Sequence, residues 1–89
     1  MMEKLTKQEE EVMLHVWKLG SCTTKEILQQ LDEPRPPYTT IASVMNNLKR
    51  KGYLNAEQHG LTYHFSPRIG QSEYKSDFMR SFVGNYFKN

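Results

Sequence analysis

A chain of 89 residues with 37% hydrophobic and 25% charged side chains is one small domain of ordinary soluble composition, which excludes wholesale disorder and a fibrous repeat. No window approaches about 18 uncharged apolar residues, so no membrane span is predicted; with no signal-like apolar stretch in MMEKLTKQEEE, a cytoplasmic setting is expected. The net charge of +2 is uneven, at −3 over residues 1–34, +4 over 35–68 and +1 over 69–89, so any polyanion partner belongs to the middle of the chain.

The first predicted helix opens at Thr6-Lys7-Gln8-Glu9, which has the form of a capping box, a hydroxyl followed three residues later by a glutamate. Glu9, Glu10 and Glu11 suit the positive end of its dipole. Val12, Met13, Val16 and Trp17 form one buried stripe, and Gly20 is the expected stop. Trp17 therefore reads as core rather than as a ligand platform. A second capping box, Thr23-Thr24-Lys25-Glu26, opens a short helix with Ile27, Leu28 and Leu31 as its apolar side. Pro34, Pro36 and Pro37 end it and stiffen the loop that follows.

The third helix is predicted to start between Tyr38 and Thr40, with Thr39 as its best cap, and to run to about Lys51 before Gly52. Ile41, Val44, Met45 and Leu48 make its apolar stripe at i, i+3, i+4 and i+7. A hairpin follows, with Tyr53–Gln58 and Leu61–Phe65 flanking a turn at His59-Gly60. This register pairs Leu54 with Phe65 and Ala56 with Tyr63 on an apolar face, and Asn55 with His64 and Glu57 with Thr62 on a polar one. From about Gln71 the chain is helical again, and Tyr74, Phe78, Phe82 and Tyr86 recur every four residues, joined by Met79, Val83 and Phe87. Helix, helix, helix, hairpin, helix is a mostly α fold with a small β-hairpin. It is the winged helix-turn-helix arrangement over residues 1–68, with a C-terminal helix starting a dimerisation region over 69–89.

The third helix has a second face, Thr39, Ala42, Ser43, Asn46 and Arg50, flanked by Thr40 and Asn47. In a helix-turn-helix the exposed face of the second motif helix enters the major groove. Asn46 and Asn47 suit adenine, and hydroxyl side chains suit either base type or the thymine methyl. The bland reading is an ordinary polar exterior. Against it, no acid occurs from residue 34 to 56, and the face is hydroxyl, amide and alanine where lysine and glutamate are usual. Lys49, Arg50 and Lys51 are candidates for phosphate contact, or for satisfying the helix C-terminal dipole. Thr24 and Lys25 at the second helix, and His59 at the wing tip, are further candidate backbone contacts. The terminal aromatic stripe, with Tyr74, Phe78, Phe82, Val83, Tyr86 and Phe87, has three readings. It folds back on the domain, although a small winged core has little room for so many large side chains; it binds another protein; or it pairs with its own copy as a dimer surface, the favoured reading. The alternative function is a winged-helix protein-interaction module that works through that same stripe.

No acid pairs with a serine, histidine or cysteine in a catalytic spacing, and no glycine-rich phosphate loop occurs, so no enzyme is predicted. A single cysteine, Cys22, excludes an internal disulfide, and the three histidines lack ligand spacing, so neither metal nor cofactor is expected.

The ordered set Leu5-Thr6, Glu10-Glu11-Val12-Met13, Val16-Trp17, Thr40-Ile41, Leu48-Lys49-Arg50-Lys51-Gly52-Tyr53-Leu54 and Tyr63-His64-Phe65-Ser66-Pro67 resembles the BlaI/MecI/CopY family, the bacterial penicillinase repressors. The resemblance runs from about residue 4 to residue 89. It implies a dimeric winged-helix repressor on a dyad operator of double-stranded DNA, with Thr39, Thr40, Ala42, Ser43 and Asn46 at the base-reading positions. It also implies a helical dimerisation domain beginning at the aromatic helix, and in the β-lactam branch a membrane sensor that triggers cleavage of the repressor. Thr39 and Ala42 stand where the β-lactam repressors carry basic residues, which points to a different operator. The family's later dimerisation helices and cleavage region fall beyond Asn89, so the dimerisation region is expected to be incomplete. The copper branch's cysteine-rich tail has no counterpart in these residues.

Overall fold

A computed structural model describes the backbone of residues 3–87 and the side-chain surroundings of residues 3–79. The elements are α1 (Lys7–Leu19), α2 (Thr24–Gln30), α3 (Tyr38–Arg50), β1 (Leu54–His59), β2 (Thr62–Pro67) and α4 (Gln71–Phe87). This is the winged-helix order read from the sequence. Both capping boxes form. The Thr6 hydroxyl accepts from the Glu9 amide at 3.1 Å while the Glu9 carboxylate accepts from the Thr6 amide at 2.8 Å. Thr23 and Glu26 repeat the exchange at 3.2 and 2.8 Å, satisfying amides that the first turn leaves open.

α3 differs at its start. Pro37, not Thr39, is its N-cap, and no side chain caps it. A proline ring already holds the φ that precedes a helix, so Thr39 lies inside the first turn with its hydroxyl exposed. The far end of α3 is a Schellman closure. The Gly52 amide bonds the Lys49 carbonyl at 3.0 Å and the Tyr53 amide bonds the Leu48 carbonyl at 2.9 Å. Gly52 has φ +87°, which glycine adopts without penalty. Leu48 and Tyr53, the pair that this motif brings together, are both buried.

The core is the three predicted stripes closed by the hairpin. Val12, Met13 and Val16 of α1, Ile27 of α2 and Ile41, Met45 and Leu48 of α3 are each 1% exposed or less. Leu54 and Phe65 cover them from the hairpin. Trp17 is half-buried and packs against this core, its indole N–H donating to the Ile69 carbonyl at 2.9 Å.

The hairpin register differs from the expected one. Ala56 pairs with Phe65, Glu57 with His64, Gln58 with Tyr63 and His59 with Thr62, so Gly60-Leu61 is the turn. The reason is turn chemistry. A turn at His59-Gly60 needs positive φ at a histidine, whereas Gly60 alone carries it, at +65°, as the first position of a type II′ turn does. The slip is two residues, so the side chains keep their faces. The base of the wing gains a third partner at Cys22, which exchanges backbone bonds of 2.8 and 2.7 Å with Phe65.

The end of α3 is tied to the start of α1. The Lys51 ammonium lies 2.6 Å from Glu9 Oε1, both side chains largely buried, and also donates to the Lys4 carbonyl at 2.9 Å. Burial pushes the Glu9 carboxyl upward, but Lys51 and the Thr6 groups outweigh it, so it stays below its ordinary 4.5. A lowered carboxyl stabilises the fold above its unfolded pKa and loses that contribution as pH falls through the folded value. Lys51→Met leaves the Glu9 carboxylate largely buried without its partner and should cost about 3 kcal/mol at neutral pH. Its deficit against the parent chain should shrink as pH falls below 4.5, as urea midpoints across that range will read.

Candidate nucleic-acid interface

The apolar stripe of α3 turns inward and leaves one surface outward. Thr39, Ser43, Asn46, Asn47, Lys49 and Arg50 are exposed, while Thr40 and Ala42 are half-buried. The outward surface is therefore centred on hydroxyl and amide side chains, with two cations at its C-terminal end. Asn47 is engaged within it, since its Oδ1 accepts from the Arg50 guanidinium at 3.2 Å. That contact aims the guanidinium back along the helix. Lys51, the third member of the predicted cationic run, is on the opposite side, held by Glu9. The next residue along the helix stands about 100° further round, which is why consecutive lysines and arginines serve different surfaces.

α3 does not stand alone. An open cleft runs between it and the wing, with Tyr38, Ala42 and Asn46 on one wall and Leu61, Thr62 and Tyr63 on the other. Thr23, Thr24 and Lys25 close one end. Of the two α2 candidates, Lys25 is exposed, whereas the Thr24 side chain is buried and unavailable for a contact of its own. His59 flanks the turn instead of forming it, and its Nε2 lies 3.2 Å from the exposed Glu57 carboxylate. Arg35, in the loop before α3, is committed to α2. Its guanidinium donates to the Leu31 and Gln29 carbonyls at 3.0 and 3.3 Å.

Tyr38, Leu61 and Tyr63 were not singled out in the sequence. They are exposed by 54, 99 and 49% and share the cleft with the α3 face. The signal that could have found one of them was the turn, because placing Gly60 first in it puts Leu61 at the tip.

The wing is held in this position by Cys22. Burial, and after it the Glu26 carboxylate, pushes the thiol up to about 11. Among the described residues no group of three or more histidine, cysteine, aspartate or glutamate side chains is placed to hold a metal ion.

The aromatic helix is divided. Tyr74 packs on the core, its ring 5.4 Å from Trp17 and 5.9 Å from Tyr53, and its hydroxyl donates to Glu10 Oε2 at 2.6 Å. Burial first, then Glu10, pushes that phenol well above its ordinary value. Tyr74 is thus an anchor of α4 rather than an open dimer contact. Phe78 and Met79, one turn on, are exposed and line an apolar groove with Leu14 and Trp17. Phe82, Val83, Tyr86 and Phe87 lie outside the described side chains.

Residues 5–89 match the family profile described as "Penicillinase repressor". The chain is 28% identical over 85 residues to the penicillinase repressor of Bacillus licheniformis, covering 94% of this chain and 66% of that protein. It is 28% identical over 71 residues to an uncharacterized 16.5 kDa protein of the ptsI 3′ region of Latilactobacillus sakei, covering 79% and 49%. The chain therefore spans between about half and two thirds of these curated relatives. Among solved structures, the DNA-binding domain of the repressor BlaI is similar at a TM-score of 0.69 with 30% identity, over 83% of this chain and 94% of that one. The monomeric form of Bacillus licheniformis BlaI in complex with the blaP half-operator is similar at 0.67 with 29% identity, over 83% and 92%.

In the folded chain Cys22 should react with a chromogenic disulfide reagent at pH 8 about a hundredfold more slowly than in urea, because both burial and the raised pKa suppress the thiolate. Equal rates would mean that the wing leaves Cys22 freely and is not held against α2.

Proposed function

The chain belongs to the penicillinase repressor family, and on that premise we propose that it is a sequence-specific DNA-binding transcriptional repressor. The observation that carries this reading is the outward surface of α3. It offers Thr39, Ser43 and Asn46 in a setting without a single acid between residues 34 and 56. Side chains this short let the helix approach base edges closely, and an amide can bond adenine through two groups at once. Thr40, Ala42 and Asn47 border the reading surface, with Asn47 also steering Arg50. Lys25, Lys49 and Arg50 supply the phosphate contacts, which fix register without reading sequence.

The repressor acts as a homodimer on a dyad operator. Phe78 and the following Phe82, Val83, Tyr86 and Phe87 form the self-complementary surface, because an apolar stripe on a helix is stable in water only when it is covered. Two copies then present their α3 helices to successive major grooves about 34 Å apart. A regulatory protease or sensor that relieves repression is carried over from the family resemblance alone.

Asn46→Ala should cost about 1–3 kcal/mol of operator affinity and relax the preference at one base pair. Arg50→Ala should weaken all duplexes alike and lower the salt slope by about one. Titration of the DNA upstream of the protein's own gene against a scrambled duplex, at several salt concentrations, reads both. Unchanged selectivity in Asn46→Ala would remove α3 as the reading element. Equal binding of native and scrambled DNA would remove the repressor reading.

A further inference from the structure

The tip of the wing carries a leucine that the fold does not use. Leu61 is 99% exposed and takes no part in the core. A lone exposed leucine is unremarkable on a surface, but this one stands at the mouth of the cleft that α3 shares with the wing. The charge of the wing sharpens the question. Residues 58–67 contain no lysine, arginine, aspartate or glutamate, and His59 is beside Glu57. A wing of this kind has no ammonium or guanidinium with which to hold a phosphate. What it can offer DNA is apolar packing and uncharged donors, namely hydroxyls, the Gln58 amide, imidazoles and the backbone amides of the turn.

We propose that Leu61 is the specificity-determining contact of the wing, seated in the minor groove beside the major-groove stretch that α3 reads. The proposal rests on the DNA-binding reading above. With α3 in the major groove, the strand that borders that groove passes through the cleft between α3 and β2. There it meets Lys25, with Glu26 beside it engaged in the Thr23 cap, and the exposed tyrosines Tyr38 and Tyr63. The tip beyond the strand faces the adjacent minor groove. The floor of that groove distinguishes A·T from G·C chiefly by the guanine 2-amino group. An apolar side chain on the floor leaves that donor without a partner, so Leu61 favours A·T pairs and packs against the deoxyribose walls. The turn makes the placement possible. Gly60 absorbs the positive φ, which leaves the second turn position open to a branched side chain.

The test starts from duplexes selected by this chain out of a random-sequence pool. The selected sites should be A·T-rich in the flank next to the α3 contact. Leu61→Ala should bind them about five- to tenfold more weakly, the loss of one packed leucine, with the salt slope unchanged. Replacing flanking adenines by 2,6-diaminopurine adds the minor-groove amino group and leaves the major-groove edge as it was. It should weaken the parent chain severalfold and leave Leu61→Ala unaffected. Leu61→Lys should recover affinity at low salt with a slope steeper by about one. Selection of no sequence at all would overturn the DNA-binding reading itself. Selection that succeeds, with Leu61→Ala as tight as the parent or equally sensitive to diaminopurine, would overturn the wing-tip assignment and leave the α3 assignment standing. Leu61 makes no core contact, so a fold-preserving variant is expected, and an unchanged urea midpoint checks it.

Discussion

α3 buries Ile41, Val44, Met45 and Leu48 against α1, α2 and the start of β1, and the direction of every other side chain on that helix follows from this seating. Each such side chain removed from water contributes about 1.5–3 kcal/mol. Rotating the helix by one residue would expose two or more of them. No polar contact on the outer face is strong enough to oppose that. The hydroxyl and amide surface thus points outward because the opposite stripe has nowhere else to go.

The joints of the domain then determine how α3 is presented. The Schellman closure at Gly52 turns the chain from helix to strand within three residues, and it sends Tyr53 back under the helix. The Tyr53 hydroxyl donates to the Glu3 carbonyl at 2.6 Å, and Lys51 reaches Glu9 and the Lys4 carbonyl. Three contacts therefore fasten the end of α3 to the segment that opens α1. At the other side Cys22 bonds the backbone of Phe65 in both directions. The wing is thereby anchored to the segment before α2, and the cleft has two fixed walls.

Electrostatics divides the basic residues between structure and surface. Lys51 is spent on a largely buried pair and Arg35 on the last carbonyls of α2. Lys25, Lys49 and Arg50 remain exposed around the α3 face. A surface with few cations and no acids between residues 34 and 56 has a modest long-range attraction for a polyanion, so discrimination falls to short-range contacts. Under the proposed function, that discrimination would rest on neutral groups such as Asn46, Ser43 and Leu61.

Much of this was legible in the chain itself. The capping boxes at Thr6 and Thr23, the stop at Gly52 and the stripes of α1 and α3 depend on residues within a few positions of one another, and local spacing reports them faithfully. The hairpin was legible as a hairpin, but not its register. A slip of two leaves every side chain on its face, so alternation cannot separate the two pairings, and only the φ demanded at Gly60 does. Partners distant in sequence were hidden altogether. Glu9 claims Lys51 across 42 residues and Glu10 claims Tyr74 across 64, which takes one residue from the cationic cluster and one from the aromatic stripe. By itself the sequence determined the elements, their order and which face of each is apolar, because these follow from short-range periodicity and capping. Only the tertiary structure decided which polar side chains remain outward to act, because that depends on which neighbours the packed core brings within hydrogen-bonding distance.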